Sequence, residues 1–193
     1  MPVGVRVQSR VYEIRFHGRA GQGILTASRL FAEAAVLNGK YAQAFPDFGP
    51  ERLGSPVSAF ARVDNQPIEI HSQVYTPNAV VVFERNLLSK VPVTMGLPAT
   101  GQFVVNASES SQLNGVKEAN GASFTTFLVD ATKIASDLGS KVVSTIMLGA
   151  LGQVSSVVGR EALESAVRRR FKGAVADLNA KMVEVGFREV HQI

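Results

Sequence analysis

Cysteine is absent from this 193-residue chain, and so is tryptophan. Without thiols the chain cannot build a disulfide framework, present a thiolate nucleophile or hold an iron–sulfur cluster on cysteines of its own. That composition suits a reducing compartment, and the expected location is cytoplasmic. Only three tyrosines accompany the missing tryptophan, which leaves little for a surface that stacks nucleic-acid bases. Basic runs stop at Arg168-Arg169-Arg170, so the formal charge of +4 implies a mild attraction to anionic ligands or acidic partners and no nucleic-acid partner. No apolar run is long enough to cross a membrane, and no basic start precedes an apolar stretch, so neither a membrane contact nor a leader is expected. The three histidines, His17, His71 and His191, have no metal-ligand spacing and no cysteine to join them, so no metal site is expected. A G-x-S-x-G nucleophile elbow is missing as well. No catalytic constellation is therefore expected within this chain alone.

What remains is ordinary globular material, 46% apolar and 19% charged, enough for one domain with a sizeable core. Residues 1–10 read as a flexible arm and residues 11–190 as the domain. The organising stretch is Tyr12-Glu13-Ile14-Arg15-Phe16-His17-Gly18-Arg19-Ala20-Gly21-Gln22-Gly23-Ile24-Leu25. A β-rich run enters a glycine-rich corner, and helical periodicity follows at once. Such a strand–turn–helix corner presents unpaired backbone N–H groups and the positive end of a helix dipole to an anion. Arg19 adds a charge inside the turn. The spacing of Gly18, Gly21 and Gly23 is G-x-x-G-x-G, which is neither the dinucleotide fingerprint nor a triphosphate loop. On the glycines alone, a turn built only for close packing fits as well as an anion site. His17, one residue before the corner, reads as a hydrogen-bonded strand end ahead of a general base.

Along the chain, the pattern predicts a helix from Gln22 to about Asn38 and a strand from Tyr41 to Phe45. Val57–Val63 and Ile68–Ile70 read as strands paired antiparallel with each other around Asp64-Asn65-Gln66-Pro67. Residues 79–83 form a continuous apolar run, the mark of a strand buried on both faces. Two more strands are expected at 102–106 and 124–130, and a helix at 131–138. The segment 144–158 carries so little charge that it must be a buried helix, inside this domain or against another chain. Amphipathic helices should cover 160–171 and 175–185, the second stopped by Gly186. The fold class that results is α/β: a single Rossmann-like domain with a largely parallel sheet, an antiparallel excursion near residues 57–70, and C-terminal helices.

Between the second and third strands lies Phe45-Pro46-Asp47-Phe48-Gly49-Pro50-Glu51-Arg52-Leu53-Gly54-Ser55-Pro56. Its three prolines and two glycines forbid a regular element, and it carries two carboxylates and an arginine. Loops fixed to a rigid sheet are where binding groups concentrate, although a crossover loop with solvated charges fits these residues too.

The order of these two segments, followed by Met147-Leu148-Gly149-Ala150-Leu151, resembles the gamma subunit of 2-oxoacid:ferredoxin oxidoreductases, most of all the pyruvate synthase (pyruvate:ferredoxin oxidoreductase) branch. The resemblance covers roughly residues 11–190. It implies a Rossmann-like subunit, inactive alone, in a complex with alpha, beta and delta subunits. In that complex thiamine diphosphate serves oxidative decarboxylation, iron–sulfur clusters pass electrons to ferredoxin, and coenzyme A takes the acyl group. This chain would bind none of those cofactors by itself and would help form the entrance to the active site on the CoA side. Gly18, Arg19, Gly21, Gln22 and Gly23 match the family's glycine-rich turn, and Phe48, Gly49, Glu51, Arg52, Gly54 and Ser55 match its second loop. These eleven positions are the expected ligand- or partner-binding residues. Ala20 departs from the glycine of many members and suits the turn only if its φ is not positive. Two other readings stay open: a purely structural scaffold subunit, and a free-standing nucleotide-binding α/β protein. The residues Gln43-Ala44-Phe45, where an acidic ribose ligand would be expected, speak against the latter.

Overall fold

All four side chains of β4 (Ala79–Val82) are buried, as an apolar strand with neighbours on both sides requires. In this computed structural model, which describes residues 11–47, 54–113, 116 and 124–193, β4 lies at the centre of a seven-stranded sheet. On one side it pairs in parallel with β1 (Tyr12–Arg19), from Ile14↔Ala79 to His17↔Val82. On the other side β5 (Gln102–Asn106) and then β6 (Thr125–Val129) continue in parallel, and β7 (His191–Gln192) closes that edge antiparallel. Beyond β1, β3 (Pro56–Asp64) runs antiparallel and β2 (Tyr41–Pro46) pairs antiparallel with β3. The order is β2-β3-β1-β4-β5-β6-β7. Since β2 is opposed to β3, it points the same way as β1, and only β3 and β7 run against the rest.

The five α-helices all serve one face. α1 (Ile24–Leu37) links β1 to β2, while α2 (Ala131–Asp137), α3 (Ser144–Ser155), α4 (Arg160–Arg170) and α5 (Gly173–Glu189) follow β6. Ile14, Phe16, Val81, Val104 and Val129 face this helical layer. Val80, Val82, Phe103, Val105 and Leu128 point the other way, onto Leu87 of a short 3-10 turn (Arg85–Leu87) and onto Leu88, Val93 and Leu97 beyond it. The alternation along β4 and β5 thus feeds two cores, and each fully buried aliphatic or aromatic side chain contributes about 1.5–3 kcal/mol.

Three expectations change. Ile68–Ile70 is not a strand: both edges of β3 are already occupied, by β1 and β2, so no ladder position remains for it. Its carbonyls are met by side chains instead, Ile68 by Gln43 Nε2 at 3.0 Å and Ile70 by Arg62 Nη1 at 3.3 Å. Gly186 does not stop the last helix, which runs on to Glu189. A Cβ at Gly186 would lie 2.0 Å from the Ile146 carbonyl oxygen, and one at Gly149 would lie 2.1 Å from that of Val183. The two glycines let α3 and α5 cross backbone to backbone. Thirdly, the charge-poor segment ends as a helix at Ser155, and ten of its twelve residues are buried by this chain's own elements, so another chain is not needed to cover it. Residues 1–10 lie outside the described residues.

Candidate functional site

β1 ends at Arg19, and the chain turns within four residues into α1. Gly21 and Gly23 hold φ of 96° and 78°, values that an L side chain resists. Ala20 is not in that region, so its side chain is accommodated. Gln22 stitches the corner: its backbone N–H donates to the Arg19 carbonyl at 3.0 Å, and its Oε1 accepts from the Arg19 N–H at 2.8 Å. Its Nε2 reaches across to Glu84 Oε2 at 3.3 Å, at the end of β4. Gly18 is buried under α1, where a Cβ would fall 2.2 Å from Ile24 Cδ1. The start of α1 has no side-chain cap and no acid in its first turn.

The tail of the second loop is bound to this corner. Ala20 N–H donates to the Ser55 carbonyl at 3.0 Å, Gly54 N–H to the Ala20 carbonyl at 3.4 Å, and Arg19 Nη1 to the Gly54 carbonyl at 2.8 Å. The head of that loop is held nearby, with Asp47 N–H on the Ser58 carbonyl at 3.0 Å and Gln73 Nε2 on Asp47 Oδ1 at 2.7 Å. Of the expected site residues, Gly18, Arg19, Gly21, Gln22, Gly23, Gly54 and Ser55 therefore gather at one corner. Phe48, Gly49, Glu51 and Arg52 lie outside the described residues.

A polar layer supports the corner from beneath. Arg15, His17 and Glu13 alternate on the face of β1 away from α1. Arg15 Nε donates to His17 Nε2 at 3.0 Å, and its Nη2 donates to the carbonyls of Val93 at 3.0 Å and Met95 at 2.5 Å. That geometry leaves the His17 proton on Nδ1, facing Ser58 Oγ at 3.2 Å. Burial first, and the adjacent Arg15 charge second, push the His17 pKa down to about 3. His17 is a neutral structural group and not a base poised near neutrality. Arg62, 1% exposed, pairs with Glu13 at 2.7 Å and also donates to the Ser72 carbonyl at 2.6 Å. Among the described residues, no group of three or more His, Cys, Asp or Glu could hold a metal ion.

Two clefts flank the glycine turn. One, about 300 Å³, is lined by Arg19, Ala20, Thr26, Pro46 and Ser58. The other, about 500 Å³, opens where β1 and β4 diverge and is lined by Gln22, Gly23, Glu84, Lys141, Ser144 and Arg170. It shares Glu84, Asn106 and Thr132 with a neighbouring hollow of about 320 Å³ that ends at Asp130. Glu84, Asn106, Lys141, Ser144 and Arg170 were not expected from the sequence. Glu84 and Asn106 carried a readable sign, each being the first polar residue at the C-terminal end of a buried parallel strand, Glu84 just beyond β4 and Asn106 closing β5, where ligands of open α/β sheets bind. The other three come together only through tertiary packing.

The family model for pyruvate ferredoxin/flavodoxin oxidoreductases matches residues 13–189. The chain belongs to this family. Its curated gamma-subunit relatives match along most of their length. The "Pyruvate/ketoisovalerate oxidoreductases common subunit gamma" of Thermococcus kodakarensis is 45% identical over 178 residues, 91% of this chain and 95% of its own. The "Pyruvate synthase subunit PorC" of Methanocaldococcus jannaschii is 42% identical over 179 residues, 92% of this chain and 96% of its own. Among solved structures, pyruvate oxidoreductase subunit PORC of Thermotoga maritima superposes with a TM-score of 0.82 at 37% identity, over 95% of this chain and 98% of that one. A pyruvate ferredoxin/flavodoxin oxidoreductase subunit of this type is thus one α/β domain, and the glycine corner with its two clefts lies inside the matched span. No helix among the described residues is long and apolar enough to cross a membrane.

Proposed function

We propose that this chain is the gamma subunit of a multi-subunit, thiamine diphosphate-dependent 2-oxoacid:ferredoxin oxidoreductase acting on pyruvate, and that its glycine corner and second loop help form the active-site entrance on the CoA side. The observation that carries the proposal is the near end-to-end match to gamma subunits at 45% and 42% identity. Supporting it, the seven described motif residues form one corner at the C-terminal end of β1. In the reaction, thiamine diphosphate on partner chains supplies the carbanion chemistry. Clusters on partner chains take the electrons to ferredoxin. This chain's own part is to bind and orient. Arg19 keeps one face of its guanidinium on the Gly54 carbonyl and offers the rest to an anion, either a CoA phosphate or a carboxylate of an alpha or beta subunit.

The experiment is to isolate the tagged chain from its native cells and identify what accompanies it. A thiamine-binding pair with a cysteine-rich, ferredoxin-like chain supports the assignment, and recovery of the chain alone overturns it. In the assembled complex, Arg19→Ala should raise the KM for CoA or lower kcat by roughly ten- to a hundredfold, the loss of a charge-assisted contact of about 1.5–3 kcal/mol. One observation favours the scaffold reading: the 2.8 Å bond from Arg19 to Gly54 makes the arginine a brace for the loop. An Arg19→Ala complex that assembles poorly yet turns over normally once assembled would favour that reading.

A further inference from the structure

β2 forms one edge of the sheet, and among the described residues β3 is the one strand paired with it. The Asp47 N–H donates to the Ser58 carbonyl at 3.0 Å and continues the β2–β3 ladder by one position. Hydrogen-bonded and non-hydrogen-bonded pairs alternate along an antiparallel ladder. Tyr41, Gln43 and Phe45 therefore turn their backbone groups to β3, while Ala42 and Ala44 turn theirs outward. Such a row of unpaired donors and acceptors is a template for another strand. Sheets commonly protect an edge with charged side chains, and β2 carries none. Its blunting feature is Pro46, which lacks an N–H and confines further pairing to Tyr41–Phe45.

The side chains of those residues say what fits. Read in either direction they run aromatic, alanine, glutamine, alanine, aromatic. An antiparallel meeting with a second copy about Gln43 sets Tyr41 opposite Phe45, Ala42 opposite Ala44, and Gln43 opposite itself. Two-fold contacts need this self-complementarity, because every residue pair is made twice with roles exchanged. The same register suits the backbone. Ala42 and the partner's Ala44 become a hydrogen-bonded pair that exchanges both N–H···O bonds, and the two-fold repeats it. Tyr41 and the partner's Phe45 become a non-hydrogen-bonded pair, the kind whose side chains lie closer. Phe45 already packs on Phe60, with ring centroids 5.2 Å apart, and lies under the Arg62 guanidinium at 5.1 Å. Tyr41, 50% exposed, would extend that aromatic row from the partner's side. With no charge on β2, the two strands set no like charges opposite each other. The other edge of the sheet offers no such match, since β7 is only two residues long.

We propose that β2 pairs antiparallel with β2 of a second copy of this chain, about Gln43, so that the two sheets join into one. The pairing does not depend on the subunit assignment, because association is read on this chain alone. Sedimentation equilibrium of the full chain, up to about 0.1 mM, should show a particle of twice the chain mass. Tyr41→Lys, folded by circular dichroism, should raise the dissociation constant about tenfold or more, since the two-fold repeats the loss. The absence of native cysteine makes a second test clean. Cα atoms of a non-hydrogen-bonded pair lie about 4.5 Å apart, within the span of a disulfide. Gln43→Cys should therefore give a disulfide-linked dimer on mild oxidation. Val175→Cys, at a position 55% exposed on α5, should not. A chain that stays monomeric over this range would overturn the proposal. So would a dimer that Tyr41→Lys leaves unchanged, or a Gln43→Cys chain that cross-links no better than Val175→Cys.

Discussion

Replacing Gly186 by alanine separates helix chemistry from packing, because the two demand opposite signs. In an isolated helix interior the change is worth about 1 kcal/mol in favour of alanine. Here the new Cβ would lie 2.0 Å from the Ile146 carbonyl oxygen, 2.8 Å from its carbonyl carbon and 3.0 Å from its Cα. These are backbone atoms of α3 and cannot rotate aside. Restoring an ordinary contact near 3.4 Å from 2.0 Å would require α3 and α5 to part by about 1.4 Å. Ile146, Met147, Leu148 and Leu151 are all fully buried on α3, so the movement opens gaps around four large side chains. Overpacking of this kind costs about 1–3 kcal/mol, more where backbone must yield. Because backbone atoms must yield here, the upper end of about 3 kcal/mol applies, and subtracting the helix gain leaves a net loss of about 2 kcal/mol. For a chain of this size that lowers the Tm by about 4–8 °C. The assay is thermal and urea unfolding of the full chain, followed by circular dichroism. Gly149→Ala on the facing helix should do similar damage, and the double variant should lose less than the sum because one separation relieves both clashes. Gly159→Ala, with open space around its Cβ, is the control. A Gly186→Ala chain as stable as the parent or more so would refute the close crossing.

Removal of Arg62 should be the most damaging change outside the helices. Arg62→Ala leaves Glu13 and the Ser72 carbonyl without their buried donor, and urea unfolding should show a loss of about 3–5 kcal/mol. His17 sets a pH dependence. Its pKa is depressed in the folded chain to about 3 while the unfolded chain titrates near 6.5, so the unfolded state binds the extra proton and stability falls as pH drops below 6.5 towards 3. The slope from this one group is about 1.4 kcal/mol per pH unit. Between pH 6.5 and 5, above most carboxylate titration, His17→Gln should therefore flatten the stability curve by up to about 2 kcal/mol, measured by urea unfolding at stepped pH. An unchanged slope would mean that His17 charges freely in the folded chain.

How much was legible beforehand follows from where each signal resides. β1, the glycine turn and α1 were readable because their order is local. A β-rich run, glycines at positions that need positive φ, and 3.6-residue periodicity all act within neighbouring residues. β4 was readable from its unbroken apolar run, since only a strand covered on both faces tolerates four such residues in succession. Ile68–Ile70 was misread because alternation says that a segment can pair, not whether an edge is free. Gly186 was misread for a related reason. A glycine near the end of an apolar-periodic run looks like a stop, and only the approach of α3 shows that its missing side chain is a contact surface. The eleven motif positions came from a joint pattern in one order, which residue spacing can carry. The cleft residues could not come that way, since Lys141, Ser144 and Arg170 are far in sequence from Gly21 and Gly23.

The sequence by itself determined that this is one α/β domain without thiol chemistry of its own, that a glycine corner joins its first strand to its first helix, and that the charge-poor segment beginning at residue 144 must be buried. Those properties follow from composition, local backbone preference and periodicity, which need no knowledge of neighbours. Only the tertiary structure decided that β3 takes its partners from β1 and β2, that two glycines bring α3 against α5, and that two uncapped helix starts meet beside Lys141 and Arg170. Each of these is a relation between distant segments. It is fixed by which edge, face or dipole end is left unsatisfied once the rest of the chain has packed.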